Sequence, residues 1–209
     1  MKRILYNIYY GENDPFNLFA SCVHVHHVEQ IDSKRGCLLL HGGADISPTI
    51  YGEAPIFANH ATEALSDRDK MEVNSVIAAL KIGIPIIGIC RGAQLLCALD
   101  GGTLMQHIDK HVGGNHTIVD KLTGEVIKSN SAHHQMMIPS KKSGANILAV
   151  DTTPTTGIDA NEKDVIIPEV PEVVHFPQLR AIGIQGHPEW LLNSPFNKYC
   201  AQLIDRFIL

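Results

Sequence analysis

The stretch PIIGICRGAQLL, residues 85–96, constrains this chain more tightly than any other. Its apolar run ends at Ile89 and reads as a buried strand, and the residues from Arg91 onward read as a helix. A strand that passes directly into a helix belongs to a parallel sheet with helices packed on its faces. Cys90 falls on the junction, between Gly88 and Gly92. A cysteine in that place is a small buried hydrophobe, a metal ligand or a nucleophile. The small-X-nucleophile-X-small layout matches the sharp strand-to-helix elbow of hydrolases, where glycines let the backbone fold tightly around an outward-thrust side chain. The helix start that follows favours the thiolate through its unpaired N–H groups.

Other segments extend the same pattern. KRILYNIYY (2–10), GCLLLHGG from Gly36 and AIGIQGH from Ala181 are apolar runs that stop at glycine or at a polar, chemistry-bearing residue, as strands covered on both faces do. Residues 67–83 carry Met71, Val73, Val76, Ile77 and Leu80 at amphipathic-helix positions and close on Gly83 and Pro85. Residues 116–138 contain alternating stretches split at 122–125 and read as a hairpin. Residues 151–164 are polar and turn-rich and read as an exposed loop. A last helix starts at Ser194, with Pro195 in its first turn. The expected fold is an α/β open, mostly parallel sheet of flavodoxin-like type, with helices on both faces and a small antiparallel extension. At 209 residues, without repeats or an evident linker, residues 1–209 are expected to form a single domain.

A cysteine nucleophile needs a base, and the base needs an orienting group. His187 in GIQGHPEW follows a buried strand, so it can emerge at the sheet edge where Cys90 lies. Glu189 lies two residues on and can hold the imidazole tautomer. Read alone, these residues are better explained as a strand-end turn with a solvated histidine and glutamate. Gly42 and Gly43 end another strand, where backbone N–H groups can approach a ligand. The N–H of Arg91, just after the nucleophile, is the natural partner in an oxyanion hole. Asp45, just past the glycines, either positions that loop or meets the amine side of a substrate.

Taken together, LLLHGGADISPTIYGE, GICRGAQLL, GGTLMQHI, SNSAHHQMM and GIQGHPE resemble the class I glutamine amidotransferase fold, and within it the γ-glutamyl-γ-aminobutyrate hydrolase group. The resemblance implies Cys90 as nucleophile, His187 as general base and acid, Glu189 as its orienting carboxylate, and Gly43 with Arg91 as the oxyanion hole. It places Gly42, Gln94 and the run Ser131, Ala132, His133 and His134 against the glutamyl group. It leaves the Arg91 side chain to anchor the elbow to acidic neighbours. It implies hydrolysis of a γ-glutamyl amide through a thioester on Cys90, by a free-standing hydrolase or by a glutaminase subunit that passes ammonia to a separate synthetase chain. It requires no metal or organic cofactor, and it admits a homodimer. Gly186 and Ala132 are small where the family carries larger residues, which implies a roomier pocket or one completed by another chain. His41 and Ala44 depart from the family pattern as well.

Charge and composition narrow the partners. A formal net charge of −5 gives no basic face for nucleic acid. No apolar run reaches the ~20 residues of a membrane span, and the N-terminus lacks the features of a signal peptide. Five irregularly spaced cysteines point to a reducing, cytoplasmic compartment, with Cys22, Cys37, Cys97 and Cys200 as packing residues. The histidine groups, His24, His26 and His27 and then His107, His111 and His116, lack HExxH or CxxC spacing. No metal site is therefore expected, and these histidines are assigned structural or incidental roles.

Overall fold

The computed structural model describes residues 3–8, 14–27 and 30–209. Tyr9 and Tyr10, expected at the end of the first strand, lie outside the described residues. The strands are β1 (Ile4–Asn7), β2 (Cys22–His24), β3 (Gly36–Leu40), β4 (Ile86–Ile89), β5 (Thr103–Met105), β6 (His107–Ile108), β7 (Val112–Asp120), β8 (Val126–Ala132), β9 (Met136–Ile138), β10 (Asn146–Asp151), β11 (Thr155–Ile158), β12 (Asp164–Ile167), β13 (Val170–Phe176) and β14 (Ala181–Ile184). The helices are α1 (Asp67–Ile82), α2 (Arg91–Leu99) and α3 (Pro195–Phe207). The main sheet has the order β2-β1-β3-β4-β14-β13-β10-β7-β8. Its first five strands run parallel, and the four from β13 to β8 run antiparallel. The mostly parallel core with its antiparallel extension is the architecture the sequence implies.

The parallel half is covered on both faces, so every residue of β3, β4 and β14 is buried. One face packs against α1 and α2, burying Val76, Ala79, Ala93, Leu95 and Leu96 with Leu38, Leu40 and Ile86. The other packs against α3 through Phe196, Tyr199, Leu203 and Ile204, with Leu39, Ile87 and Ile184. Residues alternate between the two clusters along each strand, as the period of two dictates. Helix α1 starts on a capping box, in which the Ser66 hydroxyl accepts from the Asp69 N–H and the Asp69 carboxylate accepts from the Ser66 N–H. It ends on left-handed Gly83. The amphipathic pattern of α1 is only partly as expected. Ile77 is exposed, while Asp69 and Glu72 are buried, because an arginine beneath the helix requires carboxylates there.

One segment differs from the sequence reading, and another is not read there as an element at all. Residues 151–164 are not simply a loop: β11 lies within them and pairs with β12 and β6 in a small separate sheet. Polar turn residues masked a short hairpin there. Strand β13, VPEVVHF, sits in the middle of the main sheet despite Pro171. The register shifts between Ala149 and Val150 in its partner β10, and Pro171 pairs at that irregularity, where a missing N–H is tolerated. Among the described residues no helix is long and apolar enough to cross a membrane.

Candidate active site

Sheet register brings three strand ends to one place. Leu40 of β3 pairs with Gly88 of β4, and Ile184 of β14 pairs with Ile89. The residues that follow, Gly42 and Gly43, Cys90, and Gln185 to His187, therefore meet at the carboxyl edge of the parallel strands. That is where open α/β sheets build their sites.

Cys90 occupies the elbow with φ 50° and ψ −107°, a strained conformation for a residue with a side chain. Its N–H donates to the Ile184 carbonyl at 2.7 Å, and its own carbonyl accepts from Gln94 N–H at 3.1 Å, opening α2. The flanking glycines are there for space. A Cβ on Gly88 would lie 2.6 Å from the backbone of Gly92, and one on Gly92 would lie 2.5 Å from the Leu40 carbonyl oxygen. Strand and helix thus touch backbone to backbone, which forces the sharp turn.

Arg91 points away from the edge into the interior. Its guanidinium pairs with Glu72 and, at 2.5 Å, with Asp69, all three side chains being buried. Arg68 joins the network, pairing with Glu72 at 2.8 Å and donating to the carbonyls of His41 and Gly42 at 3.0 Å each. The elbow is thereby tied through α1 to the loop after β3, and the Arg91 side chain has the anchoring place the sequence implied. Gly43 has φ 151°, and a Cβ there would lie 2.2 Å from Arg68 Nη1. The Arg68 clamp on this loop needs glycine at that position.

His187 is held by several contacts. Its Nδ1 lies 2.7 Å from Glu189 Oε1, which leaves Nε2 for Cys90. Asn130, on β8, clasps its backbone: His187 N–H donates to Asn130 Oδ1 at 2.7 Å, and Asn130 Nδ2 donates to the His187 carbonyl at 2.7 Å. Trp190 stacks flat on the ring, with centroids 4.2 Å apart and planes 9° apart. A Cβ on Gly42 would lie 2.7 Å from His187 Cε1 and 3.4 Å from Cys90 Cβ, so the glycine loop lies directly against both side chains. Burial pulls the His187 pKa down, but hydrogen bonds to Cys90 and Glu189 and their negative charges outweigh it and raise the value to about 9. His187 is thus an imidazolium at neutral pH, set between a sulfur and a carboxylate. Neighbouring His41 is shifted the other way, downward, chiefly by burial, with Glu189 opposing.

The other expected contacts divide. Gln94 is buried on α2 and donates weakly to Gln185 Oε1 at 3.4 Å and to the Gln135 carbonyl at 3.5 Å. The run from Ser131 to His134 does not act as a unit, because β8 ends at Ala132 and the side chains around that end go different ways. Ser131 Oγ donates to the His111 carbonyl, and His133 faces buried Glu172. Ala132 is exposed and pairs with Val112 at the sheet edge. Only His134 turns toward the glycine loop, with Nε2 2.9 Å from Asp45 Oδ2. Asp45 also accepts from the His60 N–H at 3.0 Å, and His60 stacks on His134. Asp45 and His60 border a cleft of ≈ 470 Å³ that also runs along Gly43 and Arg91.

The extra room expected at Gly186 is taken up from within: a Cβ there would meet the Asn130 carbonyl at 2.9 Å and the Phe196 ring at 3.0 Å. Asn130 and Trp190 escaped the sequence reading. The only signal for either was its place inside SNSAHHQ and HPEW.

The Peptidase C26 family model matches residues 20–189. The chain belongs to this family. As a C26 member it is 30% identical over 171 residues to the glutamine amidotransferase-like protein YvdE of Lactococcus lactis, covering 73% of this chain and 65% of that one. It is 29% identical over 136 residues to the carbamoyl phosphate synthase small chain of Photorhabdus laumondii, covering 65% of this chain and 31% of that one. A chain of the PurLQS structure from Thermotoga maritima shares the fold, with a TM-score of 0.62 at 14% identity, covering 99% of this chain and 100% of that one. The chain spans less than two thirds of the length of the Lactococcus relatives it matches. Membership of C26 and likeness to class I glutamine amidotransferases support a hydrolase or amidotransferase chemistry.

Proposed function

We propose that the chain is a cysteine hydrolase of γ-glutamyl amides. The observation that carries this reading is the meeting of a strained, elbow-mounted Cys90 with a His187–Glu189 pair whose Nδ1–Oε1 distance is 2.7 Å. Cys90 Sγ, as thiolate, forms a bond to the γ-carbonyl carbon, and the carbonyl electron pair moves onto oxygen. Backbone N–H groups of Gly43 and Arg91 receive that oxyanion. The C–N bond then breaks, and the His187 proton leaves with the amine. Water attacks the thioester, giving its proton to His187, and the C–S bond breaks to release glutamate and regenerate the thiolate. Glu189 fixes the tautomer and stabilises the imidazolium without taking the proton. Gly42 and Gln94 lie beside the reacting carbon in this scheme, and His134 with Asp45 forms the rim on the amine side. No metal or organic cofactor takes part in these steps. Five cysteines without regular spacing support a cytoplasmic setting.

A second reading has specific support. The resemblance to a carbamoyl phosphate synthase small chain favours a glutaminase subunit whose ammonia goes to a synthetase on another chain. The two readings share the chemistry and differ in the leaving amine. Purified chain is incubated with glutamine and a panel of γ-glutamyl-amines, and released glutamate is measured beside Cys90→Ala. Turnover of one γ-glutamyl-amine without any partner supports the hydrolase. A silent panel, with Cys90 still labelled by a glutamine-like electrophile, supports the subunit.

A further inference from the structure

The antiparallel half of the sheet holds a second histidine–carboxylate cluster, separate from the Cys90 edge. His111 precedes β7, His116 lies within it, His133 follows β8, and Glu172 sits on β13. Glu172 is fully buried, and His111 and His133 are nearly so, at 3% and 4% exposure. Glu172 Oε1 lies 3.2 Å from His116 Nε2, 3.5 Å from His133 Nε2 and 3.9 Å from His111 Nε2. None of these contacts has hydrogen-bond geometry. Both Glu172 oxygens, both His116 ring nitrogens and the Nε2 atoms of His111 and His133 are buried without a hydrogen-bond partner.

The tautomers sharpen the problem. His111 Nδ1 lies 2.9 Å from the Asp109 carbonyl oxygen, and His133 Nδ1 lies 2.9 Å from the Gln135 carbonyl oxygen. A carbonyl only accepts, so each Nδ1 carries the hydrogen and each Nε2 presents a lone pair. Two lone pairs are thus aimed at a carboxylate that can also only accept. Polar atoms left unpartnered at this depth are costly, and a group that accepts electron pairs would complete the cluster. Imidazoles fixed through Nδ1–H to backbone carbonyls, with Nε2 free, are the usual form of metal-ligating histidines.

We infer that His111, His116 and Glu172, with His133 and Asp151 filling the remaining positions, bind one divalent transition-metal ion of the zinc class. Ligand atoms around a tetrahedral ion with arms of about 2.0–2.1 Å lie roughly 3.3 Å apart, close to the separations found here. The ligand atoms of His111, His116 and Glu172 all fall within 4.8 Å of one another. Asp151 Oδ2 is 3.4 Å from His111 Nε2, and its Oδ1 is held by the Thr153 N–H at 2.8 Å. Two carboxylates against a doubly charged ion leave the buried site neutral. A cleft of ≈ 420 Å³ lined by His111, His116 and Asp151 gives the ion a way in. Bound there, the ion cross-links β7, β8, β10 and β13. It also steadies the Gln135 carbonyl, which Gln94 shares. This departs from the metal-free expectation, because the ligands come from strand ends far apart in sequence and no local spacing announces them.

The test reads metal, not turnover, so it stands apart from the proposed hydrolysis. The chelator-stripped full chain is titrated with Zn²⁺ against a competing chromophoric chelator, and with Co²⁺ while the visible spectrum is recorded. The expected result is one ion per chain, an intense four- or five-coordinate Co²⁺ spectrum, and a fall in affinity of roughly a hundredfold or more in His116→Ala. His60→Ala, in the Asp45–His60–His134 group that could also hold an ion, should leave binding unchanged. Wild-type chain that binds Zn²⁺ no more tightly than His116→Ala overturns the inference, as does binding lost only in His60→Ala. If His116→Ala does not fold, the wild-type Co²⁺ spectrum decides: an octahedral, weakly absorbing spectrum overturns the inference.

Discussion

The two histidine–carboxylate clusters use the same residue types to opposite effect. At the Cys90 edge, one imidazole meets one carboxylate at 2.7 Å with complementary donor and acceptor, and the ring gains a proton. In the antiparallel half, three imidazoles converge on one buried carboxylate oxygen, two with lone pairs forward, and among the described residues none of the facing atoms has a hydrogen-bond partner. In the proposed function the first arrangement moves protons. The second calls for a cation. The difference lies in what the far ring nitrogen touches, a carboxylate in one case and backbone carbonyls in the other.

The sharpest break in this comparison is chemical. Cys90→Ala should lower turnover by at least about 10⁴-fold while leaving metal content untouched, as measured by glutamate release and elemental analysis. Next in size is the buried network beneath the elbow. Glu72→Ala strips Arg91 and Arg68 of a shared carboxylate and should cost about 3–5 kcal/mol, read as a drop in denaturant midpoint. His116→Ala should do the reverse of Cys90→Ala, losing the metal by roughly a hundredfold in affinity while the Cys90 edge still reacts with a thiol-directed electrophile.

The pH dependence separates the clusters further. The His187 pKa is raised, so the charged pair and its contribution to stability are complete below the ordinary histidine value and are lost as pH rises through about 9. Activity should fall on the same alkaline limb as the departing amine loses its proton donor. The limb should move to lower pH in Glu189→Gln. The smallest effect is expected of Trp190→Ala. Removing a ring stacked at 4.2 Å takes away about 0.5–1 kcal/mol of imidazolium stabilisation, shifting the alkaline limb slightly downward with less than a tenfold loss of rate.

The same contrast explains what the sequence made legible. The parallel half was readable because its strands are short apolar runs ending at Gly42, Cys90 and Gly186, and Gly43, Cys90 and His187 each follow their strand within three positions. Register then did the rest, since parallel neighbours end together at one edge. The antiparallel half hid its organisation. Pro171 disguised β13, polar turn residues disguised β11, and His111, His133 and Glu172 are brought together only by pairings across 22 to 61 residues of chain. The run from Ser131 to His134 shows the cost of reading a motif as a unit: past the end of β8, His133 turns toward Glu172 and His134 toward Asp45. Asn130, whose amide clasps both backbone groups of His187, was invisible for the same reason.

The measurement that bears most directly on the central claim is acid-quenched mass spectrometry of the chain turning over a γ-glutamyl amide. The account predicts a γ-glutamyl adduct on the peptide that carries Cys90, formed and discharged at rates that match glutamate release, and absent from Cys90→Ala. Glutamate release that persists in Cys90→Ala, with no adduct on the wild-type thiol, would contradict it.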